Sequence, residues 1–212
     1  MAKRLLSTYS KQDPVTRTRK PISLKLLNRL LSELSTSDTS KYDIKLFTAV
    51  FTFMYHAALR VSEVTFSKDN SHNLSFDNII RHSSSVKIKF ASYKHNAGNN
   101  PTIKLIETGG ITCPVRAITR FLKVRGAFPS NNMIFIHKGG QQLRRSEIAS
   151  MLKDLLKNIH LNHKLYNTHS FRIGKATDMH VLGYTDSQIR SAGRWASDAF
   201  KLYLKPSCVV NC

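Results

Sequence analysis

The segment Tyr166-Asn-Thr-His-Ser-Phe-Arg-Ile-Gly-Lys-Ala-Thr177 places a histidine and an arginine three residues apart, at the start of a predicted helix over 169–182. Side chains at positions i and i+3 lie on one face of a helix, so His169 and Arg172 are predicted to point the same way. The pair combines a group that exchanges protons near neutral pH with a permanent cation. This combination suits the transition state of a reaction at phosphate, but the same spacing also occurs on solvated basic helices.

Two further segments lie outward from this one in the chain. Upstream, Ala57-Ala-Leu-Arg-Val-Ser-Glu63 places Arg60 directly after a strongly apolar helix. Downstream, Ala192-Gly-Arg-Trp-Ala-Ser-Asp-Ala-Phe-Lys-Leu-Tyr203 ends on a tyrosine. Taken singly, Arg60 reads as a surface arginine paired with Glu63, and Tyr203 as a helix tyrosine packed beside Phe200. The order of the three segments favours a functional role for both residues.

Helical periodicity dominates most of the chain. Leucines at helical spacing predict a first helix from Leu24 to Leu34, with Ser23 as its N-cap. Gly183 and Gly193 are natural helix stops. Further helices are predicted over 42–58, 114–125, 146–160, 169–182, 186–193 and 197–204, with a helical turn beginning at 60–63.

The middle of the chain differs in pattern. Residues 85–91 and 102–107 alternate polar and apolar side chains, and the basic loop 94–101 between them contains turn residues, which predicts a β-hairpin. The apolar run 133–136 reads as a third strand or as a buried edge. We therefore predict a mostly α (α+β) fold, a helical domain with a small three-stranded antiparallel sheet.

The net charge of the chain indicates the kind of molecule that it binds. The 212 residues carry a net charge of +20, and residues 1–106 hold 17 Lys+Arg against 7 Asp+Glu, so the excess is not confined to a tail. A domain with this much charge repels itself unless a polyanion is near, and nucleic acid is the usual one. A generic basic surface and an RNA-binding protein remain alternatives at this point.

Other classes are disfavoured by composition. The longest apolar stretch, 46–55, is too short to cross a membrane, which needs about 20 residues. Three cysteines without a Cys-x-x-Cys spacing indicate a reducing compartment. His160 and His163 are one turn apart but have no matching pair, so no metal site is predicted. Residues 1–20 read as a basic linker or arm, and 21–212 as a single domain.

The three segments, in this order, resemble the tyrosine recombinase (phage integrase) family. The resemblance covers about residues 21–205, and "HSFRIG" followed by "GRWxSDAFxxY" is most similar to the recombinases of eukaryotic tyrosine-recombinase retrotransposons of the DIRS or Ngaro kind. It implies the tyrosine recombinase catalytic fold. It also implies a site-specific recombinase that cleaves and rejoins DNA without metal, ATP or other cofactor, for integration of a mobile element.

The resemblance assigns roles residue by residue. Arg60 and Arg172 would hold the non-bridging phosphate oxygens, and His169 would take the proton of the nucleophile. Tyr203 would form a 3′-phosphotyrosyl bond, and Lys94 on the hairpin is the candidate to protonate the leaving 5′-hydroxyl. Lys87, Lys89 and Lys104 lie nearby, so the identity of this lysine stays open.

One catalytic position stays open. The usual spacing back from Tyr203 falls on Arg194, whereas Trp195, beside it, is the better chemical match to the family's His or Trp. We assign Trp195 to that role. The residues predicted to contact DNA are Arg194, Lys175, Lys201, Arg144 and Arg145.

The resemblance also carries expectations about assembly. Members act on double-stranded DNA as tetramers and usually have an N-terminal helical domain, which residues 1–20 would join to this one. We expect the full-length protein to form a tetramer on DNA, with a monomer as the alternative for this chain alone, and we expect no membrane association. The expected location is the nucleus if the source is a eukaryotic mobile element, and otherwise another intracellular compartment. Alternatives are a DNA-binding domain with weak or lost catalysis, a chance match in an RNA-binding or helical regulatory protein, and a type IB topoisomerase.

Overall fold

The computed structural model describes residues 19–66, 73–90, 101–126, 132–195 and 197–204. These segments form seven α-helices, three 3-10 helices and one three-stranded sheet, which confirms the predicted fold class. The α-helices are α1 (Leu24–Thr36), α2 (Lys41–His56), α3 (Val61–Val64), α4 (Pro114–Arg125), α5 (Arg145–Asn158), α6 (Ser170–Val181) and α7 (Asp186–Gly193). The 3-10 helices span Phe76–Asn78, His163–Leu165 and Asp198–Tyr203.

Local side-chain chemistry explains where the first two helices begin. The Ser23 hydroxyl accepts a hydrogen bond from the Leu26 backbone N–H at 3.2 Å, as predicted for an N-cap. The Ser40 hydroxyl caps α2 in the same way, through the Asp43 backbone N–H at 3.0 Å. Helix α2 is buried over most of its circumference, and α1, α4 and α6 pack against it. It is therefore the central helix on which the rest of the domain assembles.

The sheet contains strands β1 (Ile79–Arg81), β2 (Ser85–Lys89) and β3 (Thr102–Ile106), with β2 in the middle and both pairings antiparallel. The hairpin prediction is confirmed in its two strands. Of the two predictions for 133–136, the third strand is wrong, because β1 takes that place and residues 133–136 make only isolated bridges. The buried alternative is confirmed: Ile134, Phe135 and Ile136 lie in the core, and the Arg125 guanidinium binds the carbonyls of Met133 and Ile134.

A second, smaller core lies under the C-terminal part. Phe200 is fully buried there against Ala176 and Met179 of α6 and Ile189 of α7. This anchor holds the last described segment, which was predicted as a helix over 197–204 and is a 3-10 helix. The end of the chain that carries Tyr203 is thus attached to α6, the helix that begins after His169.

The segment just before α1 packs very closely against the backbone of α6. The Ile22 backbone N–H donates to the Ser170 carbonyl at 2.9 Å, and a Cβ on Gly174 would lie 1.8 Å from the Ile22 carbonyl oxygen. Only glycine fits at position 174 without displacing this backbone. Among the described residues, no helix combines the length and the apolarity needed to cross a membrane.

Candidate active site

Arg60 is placed by the turn that ends α2. Ala58 has a positive φ of 45°, an uncommon conformation for alanine, and this reverses the chain before Arg60. Arg60 occupies the N-cap position of α3 in extended backbone conformation, and its side chain is exposed. The structure therefore presents Arg60 at the surface, where a phosphate group can approach it.

Arg172 is held inside the protein. It is 1% exposed, and its guanidinium donates to the Ala58 carbonyl and, at 3.0 Å, to the Gly193 carbonyl. The same group lies 4.8 Å from the centre of the Trp195 ring, within the range of a cation–π contact. Arg172 thus connects the turn before Arg60 to the end of α7, and its orientation is fixed before any ligand binds.

Glu63 and Arg194 form a buried ion pair beside Arg172. Their side chains are 1% and 5% exposed, and the two N–O contacts measure 2.6 and 3.1 Å. The Glu63 carboxylate also accepts the Arg60 backbone N–H at 2.6 Å. One carboxylate therefore fixes the backbone of Arg60 and the side chain of Arg194 together.

Arg194 reaches the sheet as well. Its guanidinium carbon lies 3.7 Å from the centre of the Phe90 ring, and Phe90 directly follows β2. The same guanidinium is 3.5 Å from the Ala58 carbonyl that Arg172 binds. Its left-handed backbone conformation, with φ 55°, ends α7 and turns the side chain inward. Arg194 therefore joins the hairpin, the Arg60 turn and α7.

His169 lies near both candidate phosphate-binding arginines. Burial lowers the pKa of its imidazole below the ordinary value of 6.5, and the positive charges of Arg172 and Arg60 lower this pKa further. The neutral form of His169 is consequently the major form at neutral pH. A neutral imidazole beside two cations can accept a proton from a nucleophile.

Trp195 connects this cluster to the C-terminal 3-10 helix. Its ring lies 5.7 Å from the Phe200 ring, and Phe200 belongs to the helix that ends at Tyr203. The backbone of Tyr203 is in the last turn of that helix. The structure therefore brings Arg60, His169 and Arg172 together, and it attaches the Tyr203 segment to them through Trp195.

Four predicted DNA contacts lie outside this cluster. Arg144 and Arg145 are exposed at the start of α5. Lys201 is exposed and pairs with Asp186 at 2.7 Å and Asp198 at 3.1 Å. Lys175 is half-buried, with its ammonium 5.8 Å from the centre of the Tyr55 ring. Burial lowers the pKa of Lys175, and the charge of Asp178 partly offsets this.

Sequence reasoning missed the partner that Arg194 binds. Glu63 was read only as a possible partner of the Arg60 side chain, whereas its carboxylate binds the Arg60 backbone and the Arg194 guanidinium. Phe90 and Ala58 were not singled out either. A signal was present for the bond to the Arg60 backbone, because a Glu three residues after an N-cap commonly binds the N-cap N–H, but no local signal pointed to Arg194. Lys94 lies outside the described residues.

Gly193 is a point where this arrangement can be tested. A Cβ on Gly193 would lie 1.7 Å from a carbon of the Trp195 ring, so Gly193→Ala is expected to displace that ring. Because Trp195 is the only tryptophan in the chain, its fluorescence reports the change directly. We expect a red-shifted emission and stronger quenching by acrylamide. The exposed neighbour Ser191, changed to alanine, serves as control; unchanged emission in Gly193→Ala would contradict the described packing.

The cluster has the chemistry of a phosphate-binding site. Arg60 is accessible, and a guanidinium group can bind two oxygens of one phosphate at once. Arg172 is buried and donates to the carbonyls of Ala58 and Gly193, so in this structure it contributes a positive charge held next to Arg60. Fixed donors of this kind stabilise negative charge that grows in a transition state. Among the described residues, no group of three or more His, Cys, Asp or Glu side chains is arranged to share a metal ion.

Comparison with known proteins shows the family and the fold. Residues 22–203 match the profile of the Phage integrase family. The fold is similar to that of the XerH site-specific recombinase bound to difH substrate, with a TM-score of 0.69 and 13% identity over 88% of this chain and 50% of that one. It is also similar to the XerA recombinase (TM-score 0.67, 19% identity, 93% of this chain and 63% of that one).

A third similar structure is the Tn1549 transposon integrase in complex with transposon right end DNA, with a TM-score of 0.65 and 16% identity over 91% of this chain and 63% of that one. The chain thus spans between half and 63% of the length of these proteins. No curated protein sequence matches it significantly. The similar structures show the fold, and the family profile extends from before α1 to Tyr203, so the chain belongs to the Phage integrase family of tyrosine recombinases.

Proposed function

We propose that this chain is the catalytic domain of a site-specific DNA recombinase that cleaves and rejoins strands through Tyr203. The observation that carries the proposal is the grouping of Arg60, His169 and Arg172 at one place, with the Tyr203 segment tied to it through Trp195 and Phe200. The similar XerH and Tn1549 structures are DNA complexes. The net charge of +20 suits the same partner.

The proposed reaction balances without an external energy source. The phenolic oxygen of Tyr203 attacks the scissile phosphorus, a Tyr–O–P bond forms, and the bond from phosphorus to the 5′-oxygen breaks. His169 accepts the phenolic proton, and Lys94 donates a proton to the leaving 5′-oxygen. Arg60 and Arg172 neutralise the charge on the non-bridging oxygens. The phosphotyrosyl ester retains the bond energy, so attack by a 5′-hydroxyl rejoins the strand without ATP or another cofactor.

The biological setting is a further part of the proposal. The motif resemblance to retrotransposon recombinases supports integration of a mobile element, and such an element in a eukaryote would require the protein in the nucleus. Recombination between two duplexes would require several protomers, and we propose a tetramer on DNA for the full-length protein. Arg144 and Arg145, exposed at the start of α5, are proposed to contact the DNA backbone, as is Lys201.

A covalent-capture experiment tests the proposed function without knowledge of the target site. The protein is incubated with a pool of nicked suicide duplexes of randomised sequence, and denaturant-resistant protein–DNA adducts are recovered and sequenced. We expect an enriched sequence and an adduct that Tyr203→Phe abolishes while DNA binding is retained. Tight binding with no adduct would instead support the alternative of a DNA-binding domain that has lost catalysis.

The pKa of His169 gives this reaction a defined pH dependence. Since the folded-state pKa lies below 6.5, more than half of His169 is still the neutral base at pH 6.5, and the base is progressively lost at lower pH. We expect the initial rate of adduct formation on the enriched sequence to fall with decreasing pH and to reach half its maximum below pH 6.5. A half-maximal rate above pH 6.5 would argue against a depressed pKa at this histidine.

A further inference from the structure

The outer face of the sheet is built from lysines. Strand alternation turns Val86, Ile88 and Leu105 into the core, and these are buried. The opposite face carries Lys87, which is half-buried, and Lys89 and Lys104, which are exposed. The 13 residues of the three strands hold four cations, Arg81 and these three lysines, and no Asp or Glu.

The register places two of these lysines against each other. Lys87 of β2 is directly opposite Lys104 of β3, and Ile80 of β1 completes the same row. Directly opposed like charges destabilise a sheet, since their Cβ atoms are only about 5 Å apart. None of the three lysines pairs with an acid among the described residues. This face therefore favours an anion that bridges the strands.

The lysine face is close in sequence to a residue that contacts the candidate active site. Lys89 is followed by Phe90, which is buried on the core face with Val86 and Ile88 and whose ring lies 3.7 Å from the Arg194 guanidinium carbon. Lys87 is two residues further from the site along the same strand. Two exposed isoleucines lie on the same face, Ile80 beside Lys87 and Ile106 two residues after Lys104 in β3. The candidate active site and the lysines therefore lie on opposite faces at the same end of β2, so a contact at the lysines would add to the DNA footprint and would not continue the cleavage site.

We propose that the outer face of the sheet, formed by Lys87, Lys89 and Lys104, is a second DNA-backbone contact that extends the footprint beyond the cleavage site. This inference rests on the proposed function, because it takes DNA as the ligand of the neighbouring cluster. The sheet supplies attraction that does not depend on base sequence. It takes no part in the chemical step.

Salt dependence of DNA binding tests the proposal. In the double variant Lys87→Gln/Lys104→Gln we expect weaker DNA affinity. The slope of log Kd plotted against log salt concentration is expected to be smaller by about 2, because each lost phosphate contact lowers this slope by about 0.9. The control is Lys153→Gln/Lys157→Gln, two exposed lysines of α5, which packs on α1 and the 3-10 helix His163–Leu165. The control makes the same charge change away from the sheet. Equal slopes in the two variants would overturn the proposal.

A second variant separates loss of binding from loss of folding. Lys104→Glu creates an attractive pair with Lys87, so we expect a higher melting temperature together with weaker DNA binding. Retention of wild-type DNA affinity in this variant would overturn the proposal, and an acidic protein segment would then be the fitting partner of the face. The proposed function fails separately, if the wild-type chain forms no adduct. Adduct formation at saturating DNA is expected to be unchanged in the two Lys87/Lys104 variants.

Discussion

Replacing Glu63 by alanine is expected to lower the free energy of unfolding by about 3–5 kcal/mol, because it leaves the Arg194 guanidinium in the interior without its carboxylate. The contacts at 2.6 and 3.1 Å join side chains that are at most 5% exposed. Loss of the bond to the Arg60 backbone adds to the effect. Urea denaturation measures the change.

The chain offers a matched control for this substitution. Glu147 accepts the backbone N–H of Arg144 at 2.7 Å, as Glu63 does from Arg60, but its side chain is 40% exposed. Glu147→Ala is expected to cost about 1 kcal/mol. A double variant, Glu63→Gln/Arg194→Met, is expected to recover part of the stability, because it removes both charges together. A loss for Glu63→Ala no larger than for Glu147→Ala would refute the buried pair.

Arg172→Lys is the second substitution with a large expected effect. Lysine keeps the charge but not the planar fork that joins the carbonyls of Ala58 and Gly193. We expect the rate of adduct formation to fall about 10²–10³-fold, the usual cost of losing one fixed transition-state donor. DNA affinity is expected to change much less, because Arg172 is one cation among many.

Single-turnover cleavage of the enriched suicide duplex measures this effect, and circular dichroism confirms that the variant is folded. Arg190→Lys is the control. Arg190 is exposed on the surface of α7 and pairs with Asp198 of the 3-10 helix Asp198–Tyr203. This variant is expected to leave the rate unchanged. A fall in DNA affinity as large as the fall in rate would show that Arg172 acts in ground-state binding rather than in the transition state.

The fold could be predicted from the sequence because the signals that mark the ends of its helices and strands come from residues close together in the chain. Ser23 and the leucines of α1, the alternation in β2 and β3, and the glycines after α6 and at the end of α7 each specify a boundary through nearby residues. Local signals could not decide between a third strand and a buried edge for 133–136. The run 133–136 has strand-like composition, but Arg125, eight and nine residues earlier, binds the carbonyls of Met133 and Ile134. Such a contact leaves no periodic trace in the sequence.

The candidate residues of the site follow from the sequence, but the contacts that connect them do not. His169 and Arg172 share a helix face, so their proximity follows from spacing. The pairing of Glu63 with Arg194 spans 131 residues, and only the fold creates it. The structure likewise gives Arg194 and Trp195 different partners: Arg194 binds Glu63 and covers Phe90, whereas Trp195 lies against Arg172 and Phe200. Trp195 therefore remains the better candidate for the open catalytic position.

Locating the covalent bond tests the central claim most directly. The adduct from the enriched suicide duplex is digested with nuclease and protease, and the modified peptide is identified by mass spectrometry. We predict a nucleotide joined through a 3′-phosphate to the phenolic oxygen of Tyr203. A nucleotide on any other residue, or an adduct that persists in Tyr203→Phe, would contradict the account.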